Sequence, residues 1–344
     1  MDLTSALLVL VVIMVALFDF TNGFHDAADM VATAIASRAM SPGIAIALLT
    51  FFTFIAPFTV GLAVADTIGT FVQIDNVSVV VGESLVIAAL AAAVTYNIVT
   101  WQLGYPSSSS NSLAGGLVGA GLYAVGAAQI NWGVTALQAG ELQGIAKVVT
   151  GLFASPLLGF LLGFLLMKVL MRLLSRATIQ MERVFVVSQY VSVAWLGFSH
   201  GGNDAQKGMA VIAMMLLASG VTPSFTVPDW VIVLCASSIT AGTVFGGWSI
   251  IKTLGFGLFR VRLIHSVASQ INAALVNSVA TLFGAPTSTT QVVTASLLGV
   301  GAAERPGHVR WKTALGIVGG WFLNVPVSIL LGYVYCYLCL ELWQ

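Results

Sequence analysis

Apolar residues in this chain come in long blocks, not in the alternation of a strand or the narrow stripe of a surface helix. Six blocks reach the ~20 residues that a membrane-spanning helix needs: residues 43–65, 77–100, 145–167, 227–251, 263–283 and 313–340. Two more, 3–37 and 184–220, are too long for one straight span. Roughly 35 residues at about 1.5 Å rise exceed 50 Å, against a hydrocarbon core of about 30 Å. Each carries a polar cluster near its middle: Asp19, Asn22, His25, Asp26 and Asp29 in the first, His200, Asn203, Asp204 and Lys207 in the second. Both are expected to be broken helices. Segments 106–123 and 286–301 open on a hydroxyl-rich turn and are short and glycine-rich. They are expected to enter the membrane as re-entrant half-helices. The fold class is thus all-α, a polytopic membrane protein.

Composition agrees and removes the competing classes. Of 344 residues, 58% are hydrophobic and 8% charged, where a soluble domain carries about a quarter charged residues. The same figures exclude disorder. Thirteen basic residues balance thirteen acidic ones, so the basic excess of a nucleic-acid binder is missing. Cys235, Cys336 and Cys339 fall in apolar stretches and suit buried free thiols better than a disulfide framework.

The placement of the bases says more than their total. Arg38, the group from Lys168 to Arg183, the group Lys252, Arg260 and Arg262, and the group Arg305, Arg310 and Lys312 recur in alternate loops. Loops 66–76, 125–144 and 220–229 have no Lys or Arg. If every element crosses once, the positive-inside rule makes the basic loops cytoplasmic and puts both termini outside.

The chain also repeats itself. Residues 23–29, GFHDAAD, align with residues 201–207, GGNDAQK; residues 104–111, GYPSSSSN, align with residues 284–291, GAPTSTTQ. By the charge layout the two halves enter the membrane from opposite sides. Inverted repeats with interrupted helices at the midplane are a transporter signature. The expected division is a first transmembrane repeat at 1–167, a short basic cytoplasmic linker at 168–183 and a second, inverted repeat at 184–344.

Asp26, Asp29, Asp204 and Lys207 carry the chemistry. Each ionised group costs roughly 2.5–3.5 kcal/mol at the bilayer centre, so partners or bound ions must offset them. Asp29 and Lys207 occupy equivalent repeat positions and could pair across the molecule. Asp26 and Asp204 would then remain as facing carboxylates that ask for a cation or a proton. They are the candidate metal ligands, and His25 beside Asp26 could bind a metal or move a proton. The serines and threonines 107–110 and 287–290 start half-helices, whose unsatisfied N–H groups and positive dipole end suit an anion. Their plainer role is N-capping. Residues 197–201, GFSHG, match the nucleophile elbow of serine hydrolases, but that motif needs a strand-to-helix turn, and here it lies in an apolar helix. An enzyme is not expected.

These motifs resemble the inorganic phosphate transporter (Pit) family, which carries a Gly-x-Asn-Asp-x-x-Asn signature twice in inverted halves, each followed by a Pro-x-Ser-Thr-Thr-type re-entrant motif. The first signature, with its continuation ASRAMSP, is most similar to the bacterial low-affinity branch. The resemblance implies a multi-pass protein of the bacterial inner (plasma) membrane that moves inorganic phosphate with a coupling cation. It makes Asp26, Asp29, Asp204 and His25 cation-coupling residues. Ser108, Ser109, Ser110, Ser288, Thr289 and Thr290, with Asn203 and Lys207, would hold phosphate. No resident cofactor is implied. The partners are phosphate, the lipid bilayer and the co-transported cation, with a homodimer left open. The commonest family pattern has Asn where Asp29, Lys207 and His25 stand here, which moves the expected couple from sodium toward protons or a metal–phosphate complex. Transport of another oxyanion such as sulfate, and a passive anion channel, are the alternatives.

Overall fold

A computed structural model describes residues 3–71, 78–176, 181–246 and 248–343. Part of the bare loop at 66–76, part of the linker at 168–183, and both chain ends therefore lie outside the described residues. The described chain is helical, with no strand. In order the helices are α1 (Leu3–Ala36), α2 (Pro42–Ile55), α3 (Ala63–Gly69), α4 (Val79–Gln102), α5 (Ser109–Ala124), α6 (Val134–Gln138), α7 (Gly144–Leu173), α8 (Met181–Ala218), α9 (Asp229–Phe245), α10 (Trp248–Gly257), α11 (Leu263–Leu282), α12 (Thr289–Glu304) and α13 (Trp311–Trp343). Four of them, α1, α4, α7 and α13, are by themselves long and apolar enough to cross a bilayer.

The breaks fall elsewhere than the apolar blocks suggest. The two segments with central polar clusters, expected to be broken, are continuous helices of 34 and 38 residues. The blocks 43–65 and 227–251, expected to be single spans, are the interrupted ones. A 71° bend separates Pro42–Phe58 from Ala63–Gly69, and Gly246, at φ 48°, ends α9 ahead of α10. A buried helix break exposes amides that need partners. The first break has one in α8, because Gln206 Oε1 accepts from Val64 N at 2.9 Å and Ala65 N at 3.1 Å. A polar side chain does not take up the hydrogen bonds of its own helix backbone, and α1 and α8 stay helical through their polar clusters.

Glycines at matched positions let the long helices close up. A Cβ on Gly23 of α1 would run into the main-chain carbonyl of Ile239 in α9, and one on Gly201 of α8 into that of Thr53 in α2. The other contacts exchange in the same way. α5 packs on α13 and α12 on α7, α4 on α1 and α11 on α8, α10 on α1 and α3 on α8. A twofold axis relating the halves generates such a set.

Two apolar cores sit above and below the polar centre. One takes Val11, Val15 and Phe18 from the first part of α1 with Met209, Ile212 and Met215 from the second part of α8. The other takes Met30 and Val31 from later in α1 with Val193 and Leu196 from early in α8. The two helices are therefore antiparallel, with their polar residues level between the cores. Outside, α7 exposes Leu157, Leu161 and Leu165 while α13 exposes Leu315, Phe322, Leu323 and Leu330. Greasy outside and polar within, the molecule is built for lipid as solvent. The basic residues of the expected linker largely continue the helices, since α7 runs through Lys168 and Arg172 and α8 begins at Met181. The three cysteines are free, Cys235 and Cys336 buried.

Candidate functional site

Each half-helix begins the same way. Gly104 and Gly284 adopt positive φ, 70° and 63°, a region a Cβ disfavours. Each reverses the chain just ahead of a proline. Ser108 then caps α5, accepting from Asn111 N at 3.1 Å, and Ser288 caps α12, accepting from Gln291 N at 3.3 Å. At 16 residues each, these helices reach about 24 Å, short of a full crossing. The capping role expected as the plainer alternative thus engages Ser108 and Ser288, and the next hydroxyls face the centre.

Those hydroxyls bridge the halves. Ser110 Oγ, at the start of α5, donates to the Thr287 carbonyl at 2.7 Å, and Thr290 Oγ1, in α12, donates to Asp26 Oδ1 in α1 at 2.7 Å. Ser109 Oγ donates to Asn22 Oδ1 at 2.6 Å. Thr289 Oγ1 lies 3.5 Å from Asp204 Oδ2 and 3.3 Å from His200 Nδ1. Asn203 fixes the second turn from outside, accepting from Thr287 N at 3.1 Å and donating to the Ala285 carbonyl at 3.2 Å.

The charged groups converge at the same place. Lys207 pairs with Asp204 three residues before it, donates to Ser110 Oγ, and reaches the Thr287 carbonyl at 2.9 Å. The expected pairing of Lys207 with Asp29 does not form. A helix puts residues three apart on one face, so Asp204 is within reach of Lys207 without any tertiary fit. Asp29 instead joins His25 and Asp26, with ligand atoms all within 4.8 Å of one another. Asp26, His200 and Asp204 form a second such group. His200 Nδ1 stands 3.0 Å from Asp204 Oδ2 and 3.9 Å from Asp26 Oδ2. Asp26 therefore belongs to both groups. Everything here is buried, and neither oxygen of Asp29, nor Nε2 of His25 or His200, has a hydrogen-bond partner. Buried polar atoms are normally satisfied; such a cluster is short of ligands.

Some of this was not foreseeable from motif matching. His200 lies outside the matched heptads, although its i,i+4 spacing to Asp204 was a usable signal. Asn277 of α11 comes in with no sequence signal, accepting from Thr287 Oγ1 at 3.2 Å and lying 3.3 Å from Thr289 Oγ1. Asp19 is buried against Gly208 with both oxygens unpartnered, as is Glu83 inside the apolar run 77–100. Ser199, the would-be hydrolase nucleophile, sits in mid-α8 and donates to the Leu196 carbonyl at 3.0 Å.

A lipid-facing apolar shell around a closed, charged and hydroxyl-rich centre, framed by two half-helix N-termini, defines a multi-pass membrane transporter. Relatives bear this out. A protein of Rhizobium meliloti (strain 1021), named a "probable low-affinity inorganic phosphate transporter", is 41% identical over 99% of both chains. A protein of Bacillus subtilis (strain 168) with the same name is 35% identical over 97% of both. The solved structure entitled "The sodium-dependent phosphate transporter" superposes with a TM-score of 0.86 over 98% of this chain and all of its own. At 22% identity, that likeness speaks to the fold. The chain belongs to the phosphate transporter family, whose model matches residues 22–332. It is a transporter and not an enzyme.

Proposed function

We propose that the chain is a cation-coupled inorganic phosphate symporter working by alternating access about the buried centre. The reading rests on one observation: the α5 and α12 N-termini meet over Asp26, Asp29, Asp204 and Lys207. Ser110, Thr289 and Thr290, aided by Ser109 and Lys207, would hold the phosphate oxygens, with Asn203 holding the second turn in place rather than touching phosphate. Ser108 and Ser288 contribute as caps that aim the first-turn amides. Three carboxylates against one ammonium leave a formal excess of two negative charges, the histidines left out of the count. A phosphate dianion entering that field is repelled, and a cation bound at Asp26 removes the repulsion. Coupling then has an electrostatic origin.

The two carboxylate–histidine groups sharing Asp26 give the cation its place. Imidazole and carboxylate ligands suit a divalent metal or a proton, which supports a metal–phosphate complex or protons as the couple. The solved fold relative is sodium-dependent by name, and sodium stays among the cations to be tested. The exchanged packing of the halves and the antiparallel α1 and α8 support the inverted-repeat reading, with the halves at 1–167 and 184–344. The basic loops would face the cytoplasm of a bacterial inner membrane.

Access needs movement. The space beside Ser110 and Lys207 measures about 10 Å³ and is walled by Ile68, Phe71, Leu113 and Leu152, about the least that holds one water. On this side, phosphate would reach the centre if α3 and α7 parted from α5. The decisive measurement is uptake of radiolabelled phosphate into proteoliposomes with sodium, proton and divalent-metal gradients imposed one at a time. Uphill accumulation driven by one of them, and lost in Asp26→Asn, is expected. Uptake indifferent to every gradient and to Asp26→Asn would sink the mechanism in favour of a passive anion channel. Competition by arsenate but not sulfate separates phosphate from the alternative oxyanion.

A further inference from the structure

The basic end of the molecule holds a second polar cavity that shares no lining residue with the buried centre. It measures about 590 Å³ and is lined by Arg38, Arg260, Arg262 and Arg310, with Ser37 and Phe259 among its walls. Four of the chain's 13 basic residues thus face one space. Ligand cavities run from about 300 to 1,000 Å³, so the volume is that of a binding site.

Two features bear on the charge at this cavity. First, α11 and α13 both begin here: Arg262 immediately precedes α11, and Arg310 precedes α13. These helices of 20 and 33 residues bring first-turn amide donors to the cavity, while the C-terminal ends of α1 and α10 at the same wall offset their dipoles, so the guanidiniums carry the charge. Second, of the four guanidiniums, Arg262 is tied to Glu304, which also holds His265 at 2.8 Å. No carboxylate among the described residues pairs with Arg38 or Arg260. Arg38 reaches the cavity from the turn that ends α1, at φ 59°, where Ala39 N donates to the Ala34 carbonyl at 3.1 Å in the usual left-handed helix ending.

Glu304 answers one of these charges; Arg38 and Arg260, exposed at the cavity, leave positive charge that a bound anion would offset. Guanidinium forks match the paired oxygens of a phosphate group, and helix N-termini add amide donors. We propose that this cavity is a phosphate-group site, separate from the buried centre, filled by free inorganic phosphate or by the headgroup of an anionic phospholipid. Basic pockets between membrane helices take such headgroups, and the volume admits a phosphodiester with its glycerol. The proposal does not depend on symport, since it concerns binding alone.

The test uses the full chain in nanodiscs, with wild type, Arg38→Gln plus Arg260→Gln, and Ser110→Ala plus Thr290→Val compared. One arm titrates radiolabelled inorganic phosphate in phosphatidylcholine discs. The other counts phosphatidylglycerol retained per chain by native mass spectrometry, from discs containing that lipid. Loss of two charge-assisted contacts lowers affinity by about tenfold or more. If free phosphate fills the cavity, the arginine variant weakens one class of phosphate binding that the Ser110/Thr290 variant keeps. If a lipid fills it, phosphate binding is untouched and retained phosphatidylglycerol falls. An arginine variant identical to wild type in both arms overturns the proposal. The Ser110/Thr290 variant reads the buried centre separately, so failure of either site is recognisable.

Discussion

Lys207 is buried beside Asp204, so each neutralises a charge the other could not carry there alone. Removing one partner of such a pair leaves an uncompensated buried ion and costs about 3–5 kcal/mol. Lys207→Met should therefore lower the unfolding temperature in detergent and abolish phosphate uptake. Adding Asp204→Asn should recover much of the stability, because the stranded charge is gone, but not the uptake. Equal stability of the single and double variants would show that the pair does not hold Lys207 in place. Ser199 offers the opposite expectation. Its hydroxyl is used within its own helix, so Ser199→Ala, which removes one local hydrogen bond worth about 1 kcal/mol, should leave phosphate uptake within about twofold of wild type. Loss of an activity with that hydroxyl would revive the hydrolase motif.

Among elements, the half-helices are held by backbone proximity. A Cβ on Gly119 of α5 would strike the Ile329 carbonyl of α13, and one on Gly299 of α12 would strike the Phe160 carbonyl of α7. Alanine gains about 1 kcal/mol over glycine in a helix interior, but overpacking against an immobile main chain costs about 1–3 kcal/mol, and the clash wins. Gly119→Ala and Gly299→Ala should both destabilise the protein in thermal unfolding, by similar amounts. Gly316→Ala, with nothing near its added carbon, should be neutral or stabilising. A stable Gly119→Ala would mean that α5 and α13 are not so closely packed. The break ahead of α3 belongs to this scale as well. Its exposed amides are answered by Gln206, and no repeat in the sequence marks that residue, since position 28 in the first half is alanine.

For the whole molecule, the expected orientation follows from the distribution of charge. In a cysteine-free background, Gln138→Cys in a loop without bases and Arg305→Cys in a basic loop are both exposed. With the basic loops cytoplasmic, a membrane-impermeant maleimide added to intact cells should label the first and spare the second. Labelling of both from one side would overturn the inverted arrangement.

What the sequence determined by itself was the solvent and the inventory. Transfer of apolar blocks into lipid is local and nearly additive, so it is legible wherever a block stands: six long runs, two polar-centred helices and two half-helices, with motifs GFHDAAD and GGNDAQK marking the acids at the centre. Tertiary structure decided what depends on neighbours distant in the chain. The polar clusters did not break their helices, and Asn22, Asp26, Asp204 and Lys207 found partners across the molecule or within their own helix. The breaks fell instead at 59–62 and at Gly246, where the interrupted segments meet the other half of the molecule. Lys207 took Asp204 over Asp29, His200 and Asn277 entered the centre, and four arginines from three separate loops came to share one cavity. Each of these is a choice of partner, and a partner is chosen by packing across the two halves.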